Sequence, residues 1–194
     1  KVYVRTIHHP AIEELMNQGK HFVAFDEIYE KHEQFEPVYE EIAETLFKQA
    51  EIEGHVLYAV PGHPLVAEQA VQILLHNSKS KGIEVSVAGG KSFLDEMYTA
   101  LKIDPIEGCQ ILDGTSLKKD EVQIRHHLVI VQVYDNFIAS EVKLTLMDKY
   151  PDDYEVTIVT AAGSAEESIK VVPLYELDQS VTLNNLTAVY VPPV

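Results

Sequence analysis

The chain has 194 residues, is 46% hydrophobic and sets 31 acidic against 15 basic side chains, for a formal net charge of −16. That length and apolar content suffice for one large core or two smaller ones, while the charge excludes a sequence-independent grip on a nucleic-acid backbone, which takes Lys and Arg. The single cysteine, Cys109, excludes an internal disulfide and fits a reducing compartment; with no apolar run long enough to span a bilayer and no signal segment at the start, the expectation is a soluble cytoplasmic protein with neither nucleic acid nor membrane as partner.

Lys1 to Ile7 reads as a strand, broken by His8-His9-Pro10. Ala11 to Gln18 reads as a short helix with Gly19 at its C-terminal end, and Phe22 to Phe25 as a second short strand. Pro37 suits the start of a helix, where a missing N–H costs nothing. That helix runs to about Ala50, with Val38, Ile42, Ala43, Leu46 and Phe47 in one stripe. His55 to Val60 is an apolar strand, and "PGHP" at 61–64 leads into a helix over 64–77. Ile83 to Val87 is a strand, and "AGGKSFLDEMYTAL" turns from glycines into a helix. Strand and helix thus alternate through the first hundred residues, which predicts a mainly parallel sheet.

From Ile103 to Gln123 the sequence is polar and irregular. "HHLVIVQVY" at 126–134 is a β-branched strand, followed by a helix over 136–150 and the strand "YEVTIVTAA" at 154–162. "ESIKVVPLYEL" and "LTAVYVPP" close the chain as strands. Fewer helices separate these strands, so a mixed sheet is expected. We place the boundary within 103–122, giving an N-terminal α/β domain over 1–110 and a C-terminal one over 111–194.

Several motifs invite chemistry. Glu40-Glu41-x-x-Glu44 puts carboxylates on one helical face and matches the first half of the acidic motif of MazG-type nucleoside triphosphate pyrophosphohydrolases. The second half is absent at a suitable spacing, so we read a solvated face. His8-His9 and His126-His127 point to opposite faces of extended chain and do not chelate one ion easily; no metal site is assigned. There is no Gly-x-Ser-x-Gly elbow, Cys109 has no evident base, and no catalytic residue is assigned. "AGGKSF" at 88–93 lets backbone approach a ligand closely, and Ser92 is placed to cap the next helix or bind a carboxylate there.

"YAVPGHPLVAEQAV" resembles the strand-turn-helix of the tetrapyrrole (corrin/porphyrin) methylase family, whose usual turn is Gly-Asp-Pro. "VSVAGGKSFLDEM" is similar to that family's next strand and Pro-Gly-x-Ser turn. "KVYVRTIHHPAIEEL", "YEVTIVTAAGSAEESIKVVPLYELD" and "LTAVYVPP" resemble further family segments. "VPGHPLVAE" with "FEPVYEEIAETL" looks most like the methylase-like module fused to MazG-type pyrophosphohydrolases in bacteria. The resemblance implies a two-domain α/β fold with an S-adenosylmethionine site in the cleft between domains, and a first strand and glycine-rich loop preceding Lys1.

By family position, His63, Leu65 and Val66 would line the methionine side of that cofactor. Lys91 and Ser92 would sit near its ribose or carboxylate. Val133 and Tyr134 would approach adenine, and Ala161, Ala162, Thr187, Ala188 and Val189 would close the adenine slot. Methyl transfer is a direct displacement, so orientation and electrostatics suffice without a protein nucleophile. Two functions follow from the resemblance. One is a methyltransferase whose acceptor the sequence does not name, a small tetrapyrrole-like molecule being one candidate. The other is a non-catalytic cofactor-sensing or scaffold domain attached to a C-terminal pyrophosphohydrolase. A homodimer is implied in either case.

Overall fold

The computed structural model describes residues 1–179 and 182–194; at Pro10 only the backbone is described. The chain divides into two compact units, Lys1–Ser92 and Phe93–Val194.

Unit 1 holds a parallel sheet in the order β2-β1-β3, formed by β1 (Val2–Val4), β2 (Val23–Ala24) and β3 (Leu57–Ala59). Tyr3 pairs with Val23 on one side and Tyr58 on the other. Around it lie α1 (Pro10–Asn17), α2 (Asp26–Lys31), α3 (Phe35–Glu53) and α4 (Gln69–Lys81). The expected stripe Val38, Ile42, Ala43, Leu46 and Phe47 is buried, and forms one core with Tyr3, Phe25, Ala70 and Leu74. Helices α3 and α4 end on Gly54 and Gly82, whose left-handed φ of 73° and 64° suits glycine at a helix C-terminus.

Unit 2 holds a mixed five-stranded sheet in the order β4-β5-β8-β6-β7. Its strands are β4 (Cys109–Asp113), β5 (His127–Val131), β6 (Glu155–Thr160), β7 (Ser168–Pro173) and β8 (Thr187–Val191). β4 and β5 pair parallel; the other pairs are antiparallel. Leu128, Ile130, Val156, Ile158, Val189 and Val191 share one sheet face. They pack with Ile138, Val142 and Leu146 of α6 (Asn136–Met147) into a core. α5 (Phe93–Leu101) opens this unit.

A parallel sheet followed by a mixed one agrees with the expected α/β architecture. Five local expectations need correction. The helix expected over 64–77 starts only at Gln69, because Ala67 takes a left-handed φ of 56°, which no helix continues through. The strand expected over 83–87 joins no ladder. Ile83 and Val85 pack on the core while Glu84 and Ser86 face outward, a strand's alternation; yet residues 84–91 make no hydrogen bond among the described residues. Side-chain burial fixes this extended run, but a ladder also needs a neighbouring strand at about 4.8 Å, and β3 offers no pairing on that side.

Helix α2 lies where no element was expected. The irregular stretch 103–123 contains β4, whose edge position leaves Gln110, Leu112 and Cys109 half-buried and Ile111 47% exposed, so it lacks an apolar run. Residues 174–177 form a 3-10 helix, Leu174–Gln179, rather than strand, with Leu174 and Leu177 buried one turn apart. β4, paired with β5, lies in the second of the two compact units, which begins at Phe93.

Candidate functional site

All three strands of unit 1 run parallel, so their carboxyl ends share one edge, the side on which open α/β sheets bind ligands. Two strands end there in the same device. After β1, His9 precedes Pro10 and its Nδ1 accepts the Ala11 N–H at 3.2 Å. After β3, His63 precedes Pro64 and its Nδ1 accepts the Leu65 N–H at 3.1 Å. Each imidazole does what an Asp carboxylate does in an Asx-turn, accepting from the N–H two residues on. This accounts for Gly-His-Pro at a position where Gly-Asp-Pro is the usual form. Since Nδ1 accepts, a neutral His63 ring carries its proton on Nε2. The substitution thus keeps the turn and adds a donor.

That donor sits by the second turn. A Cβ placed on Gly89 would lie 4.0 Å from His63 Nε2, and one on Gly90 would meet the Gly62 carbonyl at 3.3 Å. Turns 61–64 and 89–91 therefore touch, and the glycines permit the approach. The amides of Gly89, Gly90 and Lys91 are unengaged among the described residues. Lys91 is exposed, Leu65 is 47% exposed, Val66 is half-buried, and Ser92 is engaged by a partner. Unit 1 thus brings His63, Leu65, Val66, Lys91 and Ser92 into two adjoining turns.

Unit 2 gathers its own predicted residues. Val133 N–H donates to Thr187 O at 3.3 Å, and Ala161 N–H donates to Leu186 O at 3.0 Å. The Thr187 hydroxyl lies 3.0 Å from that of Thr160 and accepts the Asn184 N–H at 2.9 Å. Gln132 and Ala161 adopt φ of 64° and 52°, a left-handed conformation that costs non-glycine residues about 1–3 kcal/mol and clusters at functional sites. Val133 and Val189 are fully buried in the core, Thr187 and Ala188 nearly so, so their side chains are taken up by packing. Tyr134 and Ala162 are half-buried.

Sequence reasoning missed one cluster at the carboxyl edge of unit 1. Glu68, 7% exposed, places Oε1 2.9 Å from Nη1 of Arg5. Burial pushes its carboxyl up to about 6, against the pull of Arg5. Burial likewise raises the Tyr58 hydroxyl strongly, and that of Tyr29 to about 12. The signal was parity: Arg5 follows Tyr3 at spacing two, so it shares the helix-covered face. The paired histidines do not converge. His8 is exposed near Asp26, and His127 is buried between Tyr190 Oη at 2.7 Å and Glu107 Oε2 at 3.2 Å. Glu40 and Glu44 are exposed on α3.

Two α/β units, one on a parallel sheet and one on a mixed sheet, with left-handed or glycine turns at their strand ends, define the architecture. Residues 2–178 match the Tetrapyrrole (Corrin/Porphyrin) Methylases, and the chain belongs to that family. It is 60% identical over 193 residues to the uncharacterized protein YabN of Bacillus subtilis (strain 168), covering 100% of this chain and 39% of that protein. The chain therefore spans about two fifths of that relative's length. Its fold is similar to that of the uroporphyrin-III-C-methyltransferase of Thermus thermophilus, with a TM-score of 0.72 and 17% identity, covering 98% of this chain and 81% of that one. A diphthine synthase structure aligns with a TM-score of 0.67 at 16% identity, covering 100% and 79%. Among the described residues, no helix is long and apolar enough to cross a membrane.

Proposed function

We propose that the chain is an S-adenosylmethionine-dependent methyltransferase of the tetrapyrrole methylase type, acting on a small-molecule acceptor. The observation that carries the reading is family membership over residues 2–178. The residues present fit the cofactor. Unengaged amides at 89–91, the His63 Nε2–H and the Lys91 ammonium are donors suited to a carboxylate. When bound, the cofactor supplies an electrophilic methyl group. The chain's part is to orient both reactants and exclude water, which needs no protein nucleophile. The reading includes a homodimer and operation beside a C-terminal pyrophosphohydrolase segment; the 39% span of the relative supports a longer polypeptide.

Calorimetric titration with S-adenosylmethionine, followed by transfer of labelled methyl to candidate acceptors, tests the proposal. Lys91→Met removes a charged donor and is expected to cost about 1.5–3 kcal/mol, roughly ten- to a hundredfold in affinity. Unchanged affinity in that variant would refute the cofactor-site assignment. Binding without transfer to any acceptor would favour the sensor function instead.

A further inference from the structure

The groove between α3 and α4 has no part in the cofactor contacts assigned above. It holds a cavity of about 570 Å³, lined by Glu40 and Glu44 of α3 and by Gln69, Gln72, Ile73 and Asn77 of α4. Small-molecule sites span roughly 300–1,000 Å³. The α4 residues recur at one-turn spacing and form one stripe, which runs about 12 Å from Gln69 to Asn77 at roughly 1.5 Å per residue. The chain itself shows what the α3 wall binds. Lys81 Nζ lies 2.9 Å from Glu44 Oε2 and 5.8 Å from the centre of the Phe47 ring. Glu40 offers the same carboxylate one turn earlier on the same face, with no hydrogen bond or ion pair among the described residues. The side-chain amides of Gln69, Gln72 and Asn77 are likewise unengaged among the described residues. The ring of His76 also lines the cavity. Each of these groups can accept an N–H, and half-buried Ile73 sets an apolar strip between them.

We propose that this groove binds a free linear polyamine. One ammonium donates to Glu40 and to the amide carbonyls beside it, as Lys81 does to Glu44. The alkyl chain lies along Ile73, and a further amine donates to the Asn77 carbonyl and the His76 ring. Like charges one turn apart on a helix repel, and a cation at Glu40 relieves that repulsion. Charge and shape select against the alternatives. An anion would face two carboxylates in a chain of net charge −16. A divalent metal ion needs several oxygens gathered about one point, whereas these acceptors are strung along a line. Among the described residues no three His, Cys, Asp or Glu side chains are placed to hold a metal ion. The site does not depend on the methyltransferase reading.

The test titrates spermidine into the cofactor-free protein at low ionic strength, read by the side-chain amide resonances of Gln69, Gln72 and Asn77 in NMR. Saturable shifts at these three side chains are expected. Glu40→Gln, on an exposed helical face, should weaken binding roughly tenfold, the loss of one hydrogen bond to a charged group. Glu141→Gln, at an exposed position on α6, removes the same charge elsewhere and should leave binding unchanged. Fully N-methylated spermidine of equal charge has no N–H to donate and should bind roughly tenfold more weakly. Equal losses from Glu40→Gln and Glu141→Gln would mean diffuse attraction to an acidic surface and would overturn the proposal. Equal binding of the methylated analogue, or amide resonances that do not move, would overturn it as well. Cofactor titration of the same samples reports separately on the methyltransferase reading, so failure of one leaves the other standing.

Discussion

Glu68 makes the residue scale measurable. Its carboxyl is raised to about 6 by burial, while Arg5 opposes the shift. The charged and titratable groups facing it are Arg5 after β1, Tyr58 on β3 and Tyr29 on α2. A raised carboxyl means that the folded state binds the proton more tightly than the unfolded chain. The stability from this group is therefore complete below the ordinary carboxyl value and is lost as pH rises through about 6. That preference for the proton corresponds to roughly 2 kcal/mol. Urea unfolding of wild type and Glu68→Gln at pH 4 and pH 7.5 checks this. Wild type should lose about 2 kcal/mol relative to the variant over that interval. A flat difference, or one of opposite sign, would show that Arg5 fully offsets the burial.

At the scale of elements, the run 83–87 separates two things that normally occur together, a strand's side-chain alternation and a strand's ladder. Its amides should exchange with solvent almost freely in residues 1–194, while those of β5, paired on both edges, stay protected. Hydrogen exchange read by mass spectrometry decides it, and protection at 84–88 comparable to β5 would mean that the run is paired after all. The same separation explains what could be read from sequence. The stripe Val38 to Phe47 and the β-branched strand at 127–131 carry their burial pattern in their spacing, so α3 and β5 lie close to expectation. β4 has no such pattern because a half-buried position carries Gln110 while Ile111 is exposed, and only its pairing with β5 makes it a strand. Within the site, "PGHP" and "AGGKS" are legible because glycine and proline mark strand-end turns. Glu68 was hidden: an acid ahead of an apolar helix reads as solvated surface, and only the fold brings Arg5 to it.

At the scale of the whole molecule, the chain holds two cores with no shared residue. One is built on Tyr3, Phe25, Val38, Ile42 and Leu46, the other on Leu128, Ile130, Val142, Leu146 and Val156. Ile42 and Ile130 are both fully buried, and each sits in its own cluster. Ile42→Val and Ile130→Val should each cost about 0.5–1.5 kcal/mol through the lost methyl and the small void left behind. Residues that share no packing partners have additive effects to within about 0.5 kcal/mol. Exchange measurements should show Ile42→Val loosening α3 and α4 but not α6, and Ile130→Val the reverse. Equilibrium unfolding of the double variant completes the cycle. A coupling above about 1 kcal/mol, or loosening that spreads through both units from either substitution, would mean that the two cores fold as one cooperative body despite their separate packing.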